Sequence, residues 1–217
     1  MIQSAKDLLK KGAAELGVQL DSAQLESLNL FAEELKKWNR KINLTAITGD
    51  EDIALKHLVD SLSLLKAVRG PGRLLDIGSG GGFPCIPVKI VQPDLEMVSV
   101  DAVVKKISFQ KQAVRLLNLT GFTALHVRAE TLAQEYAASF DWVVSRAFSD
   151  IPSFVAMALP VLKPEGRIVA MKGRSAAEEV EGAKDKLDAL GTGVLEIIDF
   201  ALPGTGDARS LVIIGRN

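Results

Sequence analysis

Cysteine occurs once in these 217 residues and histidine only twice. The lone Cys85 excludes a disulfide framework and a cysteine-rich zinc site, and two histidines leave little for a histidine-based metal centre. Long apolar runs are also missing, since no window reaches the length needed to cross a bilayer. Met1 to Gly17 carries Lys6, Asp7, Lys10, Lys11 and Glu15 where a signal peptide would have an apolar core. A cytoplasmic chain without membrane contact is the expectation. Neither sign of charge is in excess: the formal net charge is −1, so any basic surface has to be local. What the chain does have is 47% hydrophobic residues against 24% charged, enough for one substantial core, in a length that suits one domain or one plus an extension.

Leu8, Leu9, Ala13 and Leu16 recur at helical spacing, and Asp21 reads as the N-cap of a longer helix with Leu25, Leu28, Phe31, Leu35 and Trp38 on one side. The helical pattern returns from Ile53 to Val68 and is broken by Arg69-Gly70-Pro71-Gly72. Residues 1–70 therefore read as an N-terminal helical extension and residues 71–217 as the main domain. There, strand and helix signals alternate, with strands near Arg73–Ile77, Leu95–Asp101, Thr123–Arg128, Trp142–Ser145, Arg167–Lys172, Leu195–Ala201 and Ser210–Gly215. Such alternation predicts a doubly wound, Rossmann-like α/β sheet of seven strands. The segment Leu202 to Arg209 is too short for a crossover helix, so the last two strands should form a hairpin, one of them antiparallel. A seven-stranded sheet ending in a hairpin is the methyltransferase variant of this fold.

The richest stretch is Leu74-Leu75-Asp76-Ile77-Gly78-Ser79-Gly80-Gly81-Gly82-Phe83-Pro84. A strand followed by a glycine turn suits a nucleotide-like ligand, but Phe83 stands where the dinucleotide fingerprint has its third glycine. Asp76 would repel a phosphate at close range. Gly78, Gly80 and Gly82 beside a carboxylate fit S-adenosylmethionine, which carries an ammonium and a sulfonium and no phosphate. Asp101, roughly 20 residues past the loop at a strand end, has the place of a ribose-binding acid. It supports an adenosine nucleoside without separating this cofactor from NAD.

The acceptor chemistry is read by elimination. After the fourth strand the chain has Val143-Val144-Ser145-Arg146-Ala147-Phe148, not the Asp/Asn-Pro-Pro-aromatic turn of base amine methyltransferases. Carbon methylation of a pyrimidine needs a cysteine nucleophile, and Cys85 sits in an apolar helix start. An acceptor that is already nucleophilic, such as guanine N7, needs no general base. Arg146 and Lys172, ending the fourth and fifth strands at the ligand-binding edge, are the candidate catalytic residues, Arg146 for O6, phosphate or cofactor contact and Lys172 for a phosphate or neighbouring base. Lys105, Lys106, Lys111, Arg128, Arg209 and the run Lys36-Lys37-Trp38-Asn39-Arg40-Lys41 can supply a local phosphate-gripping surface, with Trp38 itself read as a core residue. His57 reads as a packed or hydrogen-bonded histidine, with Asp60 and Ser61 bridging to the sheet.

Trp38-Asn39, Asn43-Leu44-Thr45, His57, Asp60-Ser61, the loop from Asp76 to Pro87, Arg128-Ala129-Glu130, Ser145 to Phe148 and Met171-Lys172-Gly173 together resemble the RsmG (GidB) family of bacterial 16S rRNA guanine-N7 methyltransferases. The resemblance runs from about Trp38 to the end of the sequence. It implies S-adenosylmethionine as methyl donor and a guanine near the decoding centre, in 16S rRNA or a small-subunit assembly intermediate, as acceptor; a monomer is the expected state. Gly78, Phe83, Ala129, Glu130 and Arg146 match the family's cofactor contacts, and Ala129 and Glu130 are expected to begin a helix that addresses the adenine edge. Cys85 replaces the usual Gly, Ala102, next to the cofactor's acid, replaces a common Ser, and Arg216 replaces a usual Lys. The competing classes are an NAD-dependent dehydrogenase, a small-molecule methyltransferase and a noncatalytic RNA-binding module.

Overall fold

Apolar side chains on successive residues of a strand demand cover on both faces. In the computed structural model, which describes residues 1–146, 148, 150–174 and 176–217, they receive it. The sheet consists of β1 (Gly72–Ile77), β2 (Leu95–Asp101), β3 (Phe122–His126), β4 (Phe140–Ser145), β5 (Leu162–Lys172), β6 (Thr192–Ala201) and β7 (Ala208–Arg216), in the order β3-β2-β1-β4-β5-β7-β6. Neighbours among β1 to β5 pair in parallel. β7 lies between β5 and β6 and runs antiparallel to both, which is the hairpin expected from the short Leu202 to Arg209 connection.

Several strand limits differ from expectation, β6 for one beginning at Thr192 and not Leu195. β5 begins at Leu162, five residues early, and β3 stops at His126, leaving Arg128 outside. The backbone N–H and hydroxyl of Thr131 both donate to the Arg128 carbonyl, at 3.1 and 2.8 Å. That i+3 closure makes Ala129–Thr131 a 3₁₀ turn and not the start of an α-helix.

The N-terminal residues fold as α1 (Gln3–Glu15), α2 (Ser22–Ile42) and a continuous helical stretch over 50–66. Asp21 caps α2 as its position suggests: its carboxylate accepts from Gln24 N at 2.8 Å, and the Gln24 side chain accepts from Asp21 N at 3.1 Å. This capping box satisfies two of the free N–H groups at the helix start. The 50–66 stretch is α-helical at Asp50–Asp52, widens to a π-helix over Ile53–Val59, and closes as α (Asp60–Leu62) and then 3₁₀ (Ser63–Lys66). Leu9, Phe31, Leu35 and Leu58 share one core with Leu74, Phe83, Phe109 and Val144, so the helices cover one sheet face. Cys85–Val91 and Val104–Leu116 complete that layer; Ile151–Ala158 and Ala176–Ala189 pack on the opposite face, around Phe154, Val143 and Ile168. Phe31 meets Phe83 at 5.3 Å and Phe109 at 6.0 Å, and Trp38 meets Phe109 at 5.8 Å. Each such contact contributes about 0.5–1.5 kcal/mol beyond its area, and together they fasten α2 to the glycine loop.

Candidate active site

Strand order reverses at β1, whose neighbours are β2 and β4, and open α/β sheets bind ligands at the carboxyl ends of strands flanking such a point. Ser145, ending β4, donates its hydroxyl to the Ile77 carbonyl of β1 at 2.8 Å, which fixes the two strand ends side by side. The chain then enters the glycine loop. Gly78 has φ +75°, and the space a Cβ would occupy is open to a ligand; at Gly82, φ +81°, an added Cβ would lie 2.5 Å from the Ile86 side chain. Glycine is required at the first for approach and at the second for packing.

A buried polar cluster holds this loop. Gln110, fully buried on the helix Val104–Leu116, donates from Nε2 to Ser79 Oγ and to the Gly80 carbonyl, both at 2.8 Å, and accepts from Ser99 Oγ. Ser79 and Ser99 hydroxyls lie 2.7 Å apart. Asp101 accepts from Gly80 N at 3.0 Å and Val103 N at 2.9 Å, and pairs with Lys106 at 3.3 Å. The acid expected at the ribose site is therefore also the loop's anchor.

Two cavities open at this edge. One, of about 430 Å³, is lined by Gly78, Asp101, Ala102, Ala129 and Glu130, with Ile77, Val100, Val127, Phe148 and Met157 as its apolar walls. An apolar slot with a carboxylate at each side, entered beside a glycine, fits an adenosyl group: adenine between the apolar side chains, ribose hydroxyls toward Asp101. Asp76, Gly80, Gly82 and Phe83 do not line it. Asp76 is fully buried beneath the loop, and neither carboxylate oxygen completes a hydrogen bond, although the Cys85 thiol and N–H act on it. Burial drives its pKa up to about 7. Its role toward the ammonium at the cofactor's methionine end thus depends on that group displacing the proton. Cys85 is itself fully buried, its thiol pKa pushed well up by desolvation and by the Asp76 charge.

The second cavity, about 340 Å³, contains both candidate catalytic residues. Arg146 lies over the Phe83 ring at 5.1 Å and contacts Asp60 Oδ2 at 3.4 Å; Arg209 Nε donates to Asp60 Oδ1 at 2.7 Å. Lys172 donates to Glu179 at 2.8 Å and to the Phe148 carbonyl at 3.1 Å, so it is tethered at the rim. His57 is buried and stacked on Phe83, its pKa lowered to about 3 by burial and then by the Arg146 charge. Ala147 of the Ser145 to Phe148 motif lies outside the described residues. Sequence reasoning did not find Gln110, whose one signal is a polar residue three positions from both Ile107 and Ala113 on a buried helix face, or the partnership of Asp60 with two arginines.

A glycine loop that leads to a slot of a size and lining that fit an adenosyl group, beside a cavity lined by Arg146, Lys172 and Arg209 at the switch point of a seven-stranded sheet with an inserted antiparallel β7, has the features of an S-adenosylmethionine-dependent methyltransferase. Solved structures of that class share the fold: a SAM dependent methyltransferase from Aquifex aeolicus at TM-score 0.59 (16% identity, 84% of this chain and 97% of that one), and M. jannaschii TYW2 in complex with AdoMet at TM-score 0.62 (12% identity, 82% and 80%). The chain belongs to the family rRNA small subunit methyltransferase G (GidB), which it matches over residues 24–206. Ribosomal RNA small subunit methyltransferase G of Geobacter sp. (strain M21) is 96% identical over the whole of both chains, and that of Geobacter metallireducens is 59% identical over 100% of this chain and 98% of the relative. Its activity is the methylation of small-subunit rRNA with S-adenosylmethionine as donor.

Proposed function

We propose that the acceptor is N7 of a guanine near the decoding centre of 16S rRNA, presented as a single base in the Arg146 cavity. One observation carries this reading: the cavity holds no free general base among the described residues. Its only carboxylate, Asp60, is engaged by two arginines, and both ring nitrogens of His57 have partners. Such a site suits an acceptor with no proton to lose. S-adenosylmethionine held at the slot would supply an electrophilic methyl to the N7 lone pair, with the carbon–sulfur electrons leaving on sulfur and the positive charge passing to the base, so that no proton would have to be moved. The chain supplies alignment and exclusion of water, which lower the barrier without a proton relay.

Lys56, Arg146, Lys172 and Arg209 line the cavity, paired with Asp52, with Asp60, with Glu179, and with Asp60 and Asp207 in that order, so the patch offers cations that can exchange a carboxylate for a phosphate. Phosphates flanking the target base are drawn to such a patch. The cofactor is assigned to Gly78, Asp101, Ala102, Ala129 and Glu130 at the slot, with Asp76, Gly80, Gly82 and Phe83 shaping the loop and Arg146 in the second cavity, over the Phe83 ring. Residues 1–70 act as a helical extension that contributes His57 and Asp60 to a methyltransferase domain of residues 71–217. Among the described residues no helix is long and apolar enough to cross a membrane; the protein is taken to work in the cytoplasm as a monomer, on free 16S rRNA or an assembly intermediate. Incubation with labelled S-adenosylmethionine and either substrate, then mass spectrometry of digested RNA, should give 7-methylguanosine, with Cys85→Ala keeping most activity. A 5-methylpyrimidine or an N-methylated exocyclic amine sinks the reading.

A further inference from the structure

Arg146 is held by one edge only. Its Nη1 and Nη2 both point to His57 Nδ1, at 3.3 Å each, and Nη1 also reaches the Lys56 carbonyl and Asp60 Oδ2 at 3.4 Å. These partners occupy the end of the guanidinium. The side edge, formed by Nε–H and the adjacent Nη2–H, has no partner among the described residues. For Nδ1 to accept, the ring proton has to sit on Nε2, and Nε2 lies 2.7 Å from Thr45 Oγ1. That hydroxyl also accepts from Ile47 N at 3.0 Å, which its two lone pairs allow. Thr45 is in turn clamped by Asn39, whose Oδ1 accepts from Thr45 N and whose Nδ2 donates to the Thr45 carbonyl, both at 2.9 Å.

Ring orientation is fixed from two further directions. His57 stacks on Phe83 with centroids 4.4 Å apart and planes 17° from parallel. It also sits in the π-helical turn Ile53–Val59, a local widening that changes where side chains point and often occurs at functional sites.

We propose that His57 is a positioning residue for Arg146: its Nδ1 takes the end of the guanidinium and so presents the Nε/Nη2 edge to a two-oxygen anion on the ligand. The anion is the carboxylate at the cofactor's methionine end or a phosphate of the RNA; a parallel pair of charge-assisted bonds suits either. The inference rests on the proposed assignment of the cavity lined by Arg146 to the acceptor, beside the cofactor's methionine end. With the nearby Arg146 guanidinium and Asp60 carboxylate as its charged neighbours, a buried ring stays neutral through the physiological range and remains an acceptor.

Nuclear magnetic resonance of ¹⁵N-histidine protein should show His57 with its proton on Nε2 and no titration between pH 5 and 8; a proton on Nδ1 overturns the proposal whatever the variants do. His57→Phe keeps the stack on Phe83 and removes the acceptor, while His57→Asn restores an acceptor oxygen near the Nδ1 position. If the cofactor carboxylate is the anion, His57→Phe binds S-adenosylhomocysteine about tenfold more weakly and binds 5′-methylthioadenosine, which lacks the carboxylate, as before; His57→Asn recovers part of the loss. If an RNA phosphate is the anion, S-adenosylhomocysteine binding is unchanged and the log–log salt slope of RNA binding falls by about one. Equal loss of both nucleosides, or no change in either measurement, overturns the assignment. A wild-type protein that meets these results yet forms no 7-methylguanosine refutes the acceptor reading and leaves this one standing.

Discussion

Replacement of Asp76 by Asn should make the free protein more stable at high pH while weakening its hold on the cofactor. The carboxylate is fully buried with no completed hydrogen bond, and burial raises its pKa from an ordinary 3.8 to about 7. Between these values the native state keeps a proton that the unfolded chain has released, so stability falls as pH rises from about 4 to 7. At about 1.36 kcal/mol per unit, the ceiling is ~4 kcal/mol at pH 8 and close to zero at pH 4. Burying an unpaired amide opposes this with about 1–3 kcal/mol, but at both pH values alike. His57 acts with the opposite sign: with its pKa lowered to about 3, stability rises with pH through the range up to about 6.5. That contribution is common to both proteins and cancels in their difference. Urea unfolding at pH 4.5 and 8 measures the quantity of interest, the Asp76→Asn stability change at pH 8 minus that at pH 4.5. It should be positive by a few kcal/mol. A difference below about 0.5 kcal/mol, within the error of extrapolation, refutes the isolated carboxylate. Calorimetry in buffers of differing ionisation enthalpy at pH 6 should show a proton released when wild-type protein binds S-adenosylhomocysteine, and none from Asp76→Asn.

Asp101→Ala should weaken S-adenosylhomocysteine binding by about 1.5–3 kcal/mol, and it should also loosen the loop, because Gly80 N and Val103 N lose their acceptor. Faster amide exchange at Gly80 beside unchanged exchange in β4 checks the second effect. On the RNA side, Lys105 is exposed with no ion pair among the described residues while Lys106 is paired with Asp101, so Lys105→Ala should lower the salt slope of binding by about one and Lys106→Ala by less; equal effects would show that the Lys106 pair opens to meet phosphate.

The sheet was legible because its cues are local. Apolar runs of strand length, separated by helical periodicity, specify a buried parallel sheet, and an eight-residue gap without helical pattern specifies the terminal hairpin. The capping box at Asp21 and Gln24 is likewise contained in four residues. What escaped was of two kinds. Asp60 finds Arg146 and Arg209 across 86 and 149 residues of chain, and no spacing rule spans that distance. Other properties belong to an environment and not to a residue type: Asp76 spells a full negative charge in sequence, yet burial raises its pKa to about 7, and Lys172 spells a free cation, yet Glu179 holds it. The π-helical turn at His57 has no periodic signature that seven residues can display.

Placing β7 inside the sheet has a further consequence. Arg209 and Ser210, near its start, line the acceptor cavity, and the strand bridges β5 and β6, which do not touch each other in the order of the sheet. Leu211 and Ile213 of the same strand, with Leu202 just before it, lie in the core shared by Leu9, Phe31 and Leu58, and Arg209 pairs with Asp60, so the N-terminal helices cannot complete their core while that wall is absent. Cofactor slot and acceptor wall are thereby joined in one cooperative unit. During refolding, cofactor binding and catalysis should return together; a species that binds nucleoside before β7 is inserted would refute this coupling.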